Sequence, residues 1–395
     1  MRSHCWAVRF VFGMALLASA VLGGVALAQS QFDGASQNTV ALPRVEVSGL
    51  SAVPRELKTL NQFVYTQIHF DRHHKLAPQA ELKFKVFARK SEQDLDQAAL
   101  TLIGKFERTP VVLDQQHRFA LDPAWRRLDG NTELRSRLPE GRLAWRTDIR
   151  TPGLPPNTRR LGDLRLECMT AGVGGLARRA GGRYDPEVPI LETRQPCLLT
   201  PQIMSYIAER PVFGITLVHG ERRVSLNYFQ LHGTGDGRYS QADLNNYDWG
   251  HLLRNHMFRL PEFSASWPDD ALVVLEFMDS PDAPTRLLGS AASAMAADGV
   301  AGKYARCAQS LVIGTTRRSE VEKQLGRARV LRFQDGRETW HYFQFRDGSR
   351  VENLFNVAPM IYSLRADAIE LLLLFNADGV LEKFALREDA AVPID

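Results

Sequence analysis

Three histidines, His69, His73 and His74, stand close together, and the first two are four residues apart. That spacing puts two imidazoles on one helical face, where they could chelate a transition metal. No Glu completes a metalloprotease H-E-x-x-H pattern, and a helix C-terminus attracts His and Arg through its dipole alone. A solvated helix end is the expectation. His251 and His256 are five apart and share no helical face. His232-Gly-Thr-Gly-Asp236-Gly-Arg-Tyr-Ser-Gln-Ala-Asp243 has the Asp-Gly and closing acid of half a calcium loop. His232 and Thr234 occupy positions where calcium needs carboxylates, so a Gly-rich turn is expected. Gly172-Val-Gly-Gly175 lacks the strand and helix of a phosphate cradle, and no nucleophile elbow, Walker loop or dinucleotide fingerprint is present. The residues therefore assign no catalytic, metal or cofactor site, and they lean against an enzyme.

The cysteines and the N-terminus speak to compartment. Arg2 and Arg9 precede and begin an apolar run, Phe10–Val25, that ends at Ala26-Leu27-Ala28. This is a signal-peptide pattern, with Gln29 as the first mature residue. The run is shorter than the roughly 20 residues a membrane span needs. Cys5 precedes the apolar core and so cannot be a lipobox cysteine. The expectation is a soluble periplasmic product, not a lipoprotein and without a transmembrane span. In that oxidising setting Cys168 and Cys197 are the natural disulfide pair, worth about 3 kcal/mol in the chain-entropy model. Cys307 is left as a buried free thiol. The formal net charge of +4 falls to +2 without Arg2 and Arg9, which argues against a nucleic-acid binder.

The elements follow from periodicity. Gln29–Val53 is a polar, mobile tail. Leu57, Leu60, Val64 and Ile68 recur at helical spacing and predict a helix over Pro54–Phe70. Glu81–Arg89 alternates as a strand. Ala99–Phe106, Pro110–Leu113, Arg118–Leu121, Leu143–Ile149 and Asp163–Cys168 are further strand candidates, with a turn at Asp114–His117. Strands at this spacing predict an Ig-like or prealbumin-like sandwich. Val212–Val218 and Arg223–Phe229 form a hairpin about His219–Arg222. Ala271–Met278 is another strand, and Asp243–Leu260 is a helical candidate. Residues 54–288 thus form a mainly β region of one or two subdomains. Gly289–Gly302 is an Ala/Ser/Gly linker. Trp125, Trp145, Trp249, Trp267 and Trp340 could line a sugar-binding face, but core anchors are expected.

The most specific stretch is Ile313-Gly-Thr-Thr-Arg-Arg-Ser-Glu-Val-Glu-Lys-Gln-Leu-Gly326. Thr316 suits a helix N-cap, Val321 and Leu325 share a face, and Gly326 stops the helix. Strand candidates follow at Arg329–Phe333, Thr339–Phe345, Ile369–Phe375 and Val380–Leu386. Asp335-Gly336 and Asn376–Gly379 supply turns.

Gly314, Thr316, Val321, Leu325, Gly326, Trp340, Tyr342, Asp378 and Gly379 stand in an order that resembles the SmpA/OmlA domain, the BamE-like fold. The resemblance covers about residues 303–388. It implies a small helix-on-antiparallel-sheet domain in an envelope protein that binds other proteins, and it implies no catalytic residues. The fold class expected for the chain is α+β, with a sandwich-like region followed by this domain. The function expected is protein–protein binding in outer-membrane or envelope assembly, through the exposed face of the C-terminal sheet and the loop carrying Arg346, Asp347 and Arg350. The alternative is an envelope ligand-binding protein or hydrolase that acts on glycan or peptide through a cleft in the β region.

Overall fold

The computed structural model describes residues 54–171, 174–176, 203–226, 231, 256–261, 267–279, 300–333, 335–345 and 368–388. The expected signal peptide and tail therefore lie outside the described residues. So do Cys197, His232, Asp236, Asp243, Trp249, His251, Arg346, Asp347 and Arg350.

The described chain begins with strand β1 (Arg55–Thr59) and helix α1 (Leu60–His73). Next come β2 (Glu81–Ala88), the single turn α2 (Gln93–Asp96), β3 (Leu100–Ile103), β4 (Arg108–Val111), β5 (Arg118–Phe119), β6 (Glu133–Pro139) and β7 (Leu143–Arg150). All the pairings among these strands are antiparallel. They build one sheet in the order β1-β6-β3-β4 and another in the order β5-β2-β7. Both sheets bury side chains in one core: Leu100, Leu102 and Leu134 from the first, Phe84, Val86 and Trp145 from the second. The helix α1 lies in the same core, which an all-β sandwich lacks. Phe63 of α1 stands edge-on to Phe84 at 4.9 Å.

The helix expected over Pro54–Phe70 is thus half right. Arg55–Thr59 is a strand, because it finds β6 to pair with, from Leu57 against Arg135 to Thr59 against Glu133. The buried helical face is Leu60, Phe63, Thr66 and Phe70, while Ile68 is exposed.

The described residues between 158 and 277 form a second layer. It contains β8 (Thr158–Arg160), α3 (Leu161–Ala171), β9 (Ile203–Ile207), β10 (Val212–His219), β11 (Arg222–Ser225), β12 (Met257–Pro261) and β13 (Leu272–Phe277). Its sheets run β11-β10-β13-β8 and β12-β9. The hairpin about His219–Arg222 forms as expected, with Gly220 at φ +58°. The strand expected at Asp163–Cys168 is the helix α3, and the end of the helix expected at Asp243–Leu260 is the strand β12.

The reason for the first correction lies in where α3 sits. Leu161, Leu164 and Cys168 enter the core of the second layer, and Leu166 enters the core of the first. A helix buried on both sides shows no amphipathic stripe. Its polar residues are held by partners: Asp163 accepts from the Thr151 N–H at 2.9 Å, Glu167 accepts from the Ile149 N–H at 2.8 Å, and Arg165 donates to the Trp267 carbonyl at 2.9 Å.

The C-terminal part holds α4 (Val300–Ser310), α5 (Arg318–Leu325), β14 (Arg329–Arg332), β15 (Glu338–Phe345), β16 (Ala368–Phe375) and β17 (Leu381–Glu388). The expected linker ends earlier than Gly302, because α4 already starts at Val300. The strands form an antiparallel sheet in the order β14-β15-β16-β17. Tyr304, Cys307 and Val321 of the helices pack on Trp340, Leu371, Leu373 and Phe375.

The opposite face of this sheet was expected to be free for a partner. It is not: Leu372, Leu374 and Ala385 pack against Phe213 of β10 and Met278 after β13. Alternate residues of the unbroken Leu371–Leu374 run thus serve two cores. A polar seam accompanies this contact. Arg387 donates to Glu370 at 3.0 Å and to the Leu226 carbonyl at 3.3 Å, and Lys383 donates to the Phe277 carbonyl at 2.9 Å. No helix among the described residues is long and apolar enough to cross a membrane, which says nothing of a β-barrel.

Candidate functional site

The two halves of the C-terminal motif come together at the entry to α5. The Gly314 N–H donates to the Leu381 carbonyl at 2.8 Å, and the Leu381 N–H donates to the Thr316 carbonyl at 2.9 Å. The Arg318 N–H donates to the Gly379 carbonyl at 3.0 Å. Gly379, at φ +78°, closes the turn that carries Asp378, and a Cβ there would meet the Arg318 guanidinium at 2.5 Å.

Thr316 is not the helix N-cap. Its hydroxyl accepts from the Val312 N–H at 2.8 Å and closes the preceding turn. Arg317 takes the cap position, and Glu320 accepts from the Arg317 N–H at 2.7 Å, as in half of a capping box. Val321 is buried beneath α5 with Leu325 beside it, and Gly326 at φ +82° ends the helix. The Tyr342 hydroxyl donates to the Gly326 carbonyl at 2.8 Å.

This arrangement leaves an open groove of about 620 Å³ between α5 and the β14 side of the sheet. Arg318, Ser319 and Glu322 form the helix wall; Arg327 and Ala328 close one end. Val330 and Arg332 of β14 stand opposite Trp340 and Glu338 of β15, so all four share the face turned to α5. Glu338 is the charged centre. Its carboxylate accepts from the Trp340 indole N–H at 2.9 Å and pairs with Arg318 at 2.8 Å and Arg332 at 3.1 Å. Partial burial opposes its charge, but the Trp340 N–H and the Arg318 guanidinium outweigh that and hold the carboxyl below its ordinary range. The groove is therefore a built carboxylate-holding surface, with Arg327 exposed at its end.

The other expected residues fall elsewhere. His69 and His73 have ring centroids 6.1 Å apart at the end of α1, as their spacing requires. Burial first, and then Arg72, lower both imidazole pKa values. No group of three His, Cys, Asp or Glu side chains among the described residues could hold a metal. Gly174 and Gly175 pack on α1: a Cβ on Gly174 would overlap the Thr66 hydroxyl, and the Gly175 carbonyl accepts from Gln62 at 2.8 Å. Trp145, Trp267 and Trp340 are buried, and Trp125 packs on the first core. Cys307 is buried and free, with its thiol pushed up to about 11 by desolvation. Cys168 is wholly buried on α3. With Cys197 outside the described residues, the bridge stays a proposal.

A second charged cluster joins the first two layers. Lys85 of β2 and Arg150 of β7 both pair with Glu209, and Arg118 of β5 meets Asp148 at 3.1 Å. Arg159 and Glu167 form a buried pair beneath them. Burial first, with the Asp148 charge added, raises Glu167 to about 7 against the pull of Arg159. A carboxyl raised in this way can mark a general acid or base. Glu167 nevertheless spends its oxygens on Arg159 and the Ile149 N–H inside the packed interior, which makes it a structural group.

Sequence reasoning missed the groove residues Arg318, Arg327, Arg332 and Glu338. A signal was present: between 317 and 338, Arg317, Arg318, Lys323, Arg327, Arg329, Arg332 and Arg337 stand against Glu320, Glu322, Asp335 and Glu338. Comparison with family models, with curated proteins and with solved structures returns no match.

Proposed function

We propose that the chain is a periplasmic cell-envelope protein that acts by binding another protein, in outer-membrane or envelope assembly, through a C-terminal domain of the SmpA/OmlA type. One observation carries this reading. The motif residues that carry the resemblance, from Gly314 to Gly379, hold α5 over the sheet so that an arginine-lined groove stays open beside Trp340. Arginine and tryptophan are the side chains that protein contacts favour most. The signal-peptide pattern supports the compartment, and the expected Cys168–Cys197 bridge fits it. The loop with Arg346, Asp347 and Arg350 is retained as a second contact.

Site-directed photocrosslinking in cells tests the reading. A crosslinker placed at position 327 or 332 of the full chain is expected to capture a discrete envelope protein. The same group at Lys75, exposed after α1, is expected to capture none. Identical background at all three positions would remove the support for binding through the groove.

A further inference from the structure

The groove runs beside a sheet edge. β14 is the first strand of its sheet, and among the described residues no strand pairs with its outer side. Val330 and Arg332 of that strand also line the groove, so one ligand can meet the edge and the groove together. We propose that this edge and groove receive an acidic, extended segment of the partner protein, which adds to β14 as a further antiparallel strand with carboxylates at alternate positions turned toward Arg318, Arg327 and Arg332. This rests on the protein-binding function proposed above.

Three arguments select that occupant. An edge strand offers unpaired backbone donors and acceptors, and an extended segment satisfies them in a ladder with its side chains alternating between faces. The groove is lined by three arginines, Arg318, Arg327 and Arg332, against two carboxylates, Glu322 and Glu338, so a positive charge is left over for an acidic ligand. Arg327 extends the same chemistry toward solvent, and arginine's fork suits a further carboxylate. Finally, Arg329 and Arg332 lie on the edge strand itself. They oppose pairing with a second copy of this chain, since like charges across a ladder repel, and they favour an acidic strand.

The test uses the purified full chain and fluorescently labelled peptides of about eight residues, near the usual strand length. One peptide alternates Glu and Thr, a second alternates Gln and Thr, and a third is the Glu/Thr peptide with alternate backbone nitrogens methylated. Fluorescence anisotropy is read against protein concentration. The Glu/Thr peptide is expected to bind, with affinity falling as salt is raised. The other two peptides, and the Glu/Thr peptide on the Arg327→Glu/Arg332→Glu variant, are expected to bind at least about tenfold more weakly. Both substituted residues are exposed, but Arg332→Glu faces Glu338 across the ladder, so the variant is assayed well below its own melting temperature, where it is folded. Equal binding of the Gln/Thr peptide overturns the role of charge, and equal binding of the methylated peptide overturns strand addition. No binding up to about 1 mM overturns the proposal as a whole. Crosslinks from positions 327 and 332 alongside that last result would leave protein binding standing and show that the partner docks by other chemistry.

Discussion

At the scale of single residues, the side chains that decide stability are buried charges with defined partners. Arg387 is nearly inaccessible and holds both Glu370 and the Leu226 carbonyl. Arg387→Ala leaves buried Glu370 with His341, 2.7 Å from its other oxygen, and is expected to cost about 1.5–3 kcal/mol, measurable by urea unfolding. Arg332→Ala, which cuts an exposed pair with Glu338, is expected to cost under about 1 kcal/mol in the same assay. A cost for Arg387→Ala no larger than that for Arg332→Ala would show that the seam is not part of the folded state. Glu209 sets a pH dependence. Partial burial opposes its charge, yet Lys85 and Arg150 hold the carboxyl down at about 2. The folded state thus prefers ionised Glu209, so this contribution is present above the ordinary carboxyl value and is lost as pH falls through about 2. Thermal melts of Glu209→Gln between neutral and acid pH should decline less steeply than those of the parent. A parallel decline would assign the acid sensitivity to other groups.

At the scale of elements, α3 and β16 show opposite relations between pattern and structure. Asp163-Leu-Arg-Leu-Glu-Cys168 alternates polar and apolar as a half-buried strand does, yet it is a helix. Two cores each take part of its circumference, and partners on neighbouring elements satisfy its charges, so local alternation carries no information there. β16 is legible because a strand buried on both faces has to be apolar throughout, and Leu371–Leu374 is. The start of α3 is tightly constrained. Gly162 donates to the Asp269 carbonyl at 2.8 Å, and a Cβ on it would overlap the Leu76 carbonyl oxygen. Gly162→Ala therefore requires backbone movement and is expected to destabilise by about 1–3 kcal/mol. A melting temperature equal to the parent's would show that the helix can shift freely at that point.

At the scale of the whole molecule, the C-terminal sheet is a shared wall. Its one face carries α4 and α5, and its other covers Phe213 and Met278. Removing residues 303–388 uncovers those side chains and takes Lys383 from the Phe277 carbonyl. The truncated chain is expected to bind a hydrophobic dye and to aggregate on size exclusion. A monodisperse fragment with a sharp unfolding transition would instead show that the region before it stands alone. Arginine substitution in the groove is accordingly the better probe of binding, since it leaves this wall intact.

By itself the sequence determined the α+β class, the turn at Asp114–His117, the hairpin at His219–Arg222, the β2 and β7 strands, the short helix ending at Gly326, and the strands around Trp340 and Leu371. These depend on turn residues and on periods within a few neighbouring positions, which a chain carries with it wherever it folds. Tertiary structure alone decided the rest. It turned Asp163–Cys168 into a helix, closed the second face of the C-terminal sheet, and set Arg318, Arg327 and Arg332 around Glu338. Each of those outcomes depends on residues far apart in the chain meeting across a packed interface, and no local pattern records such a meeting.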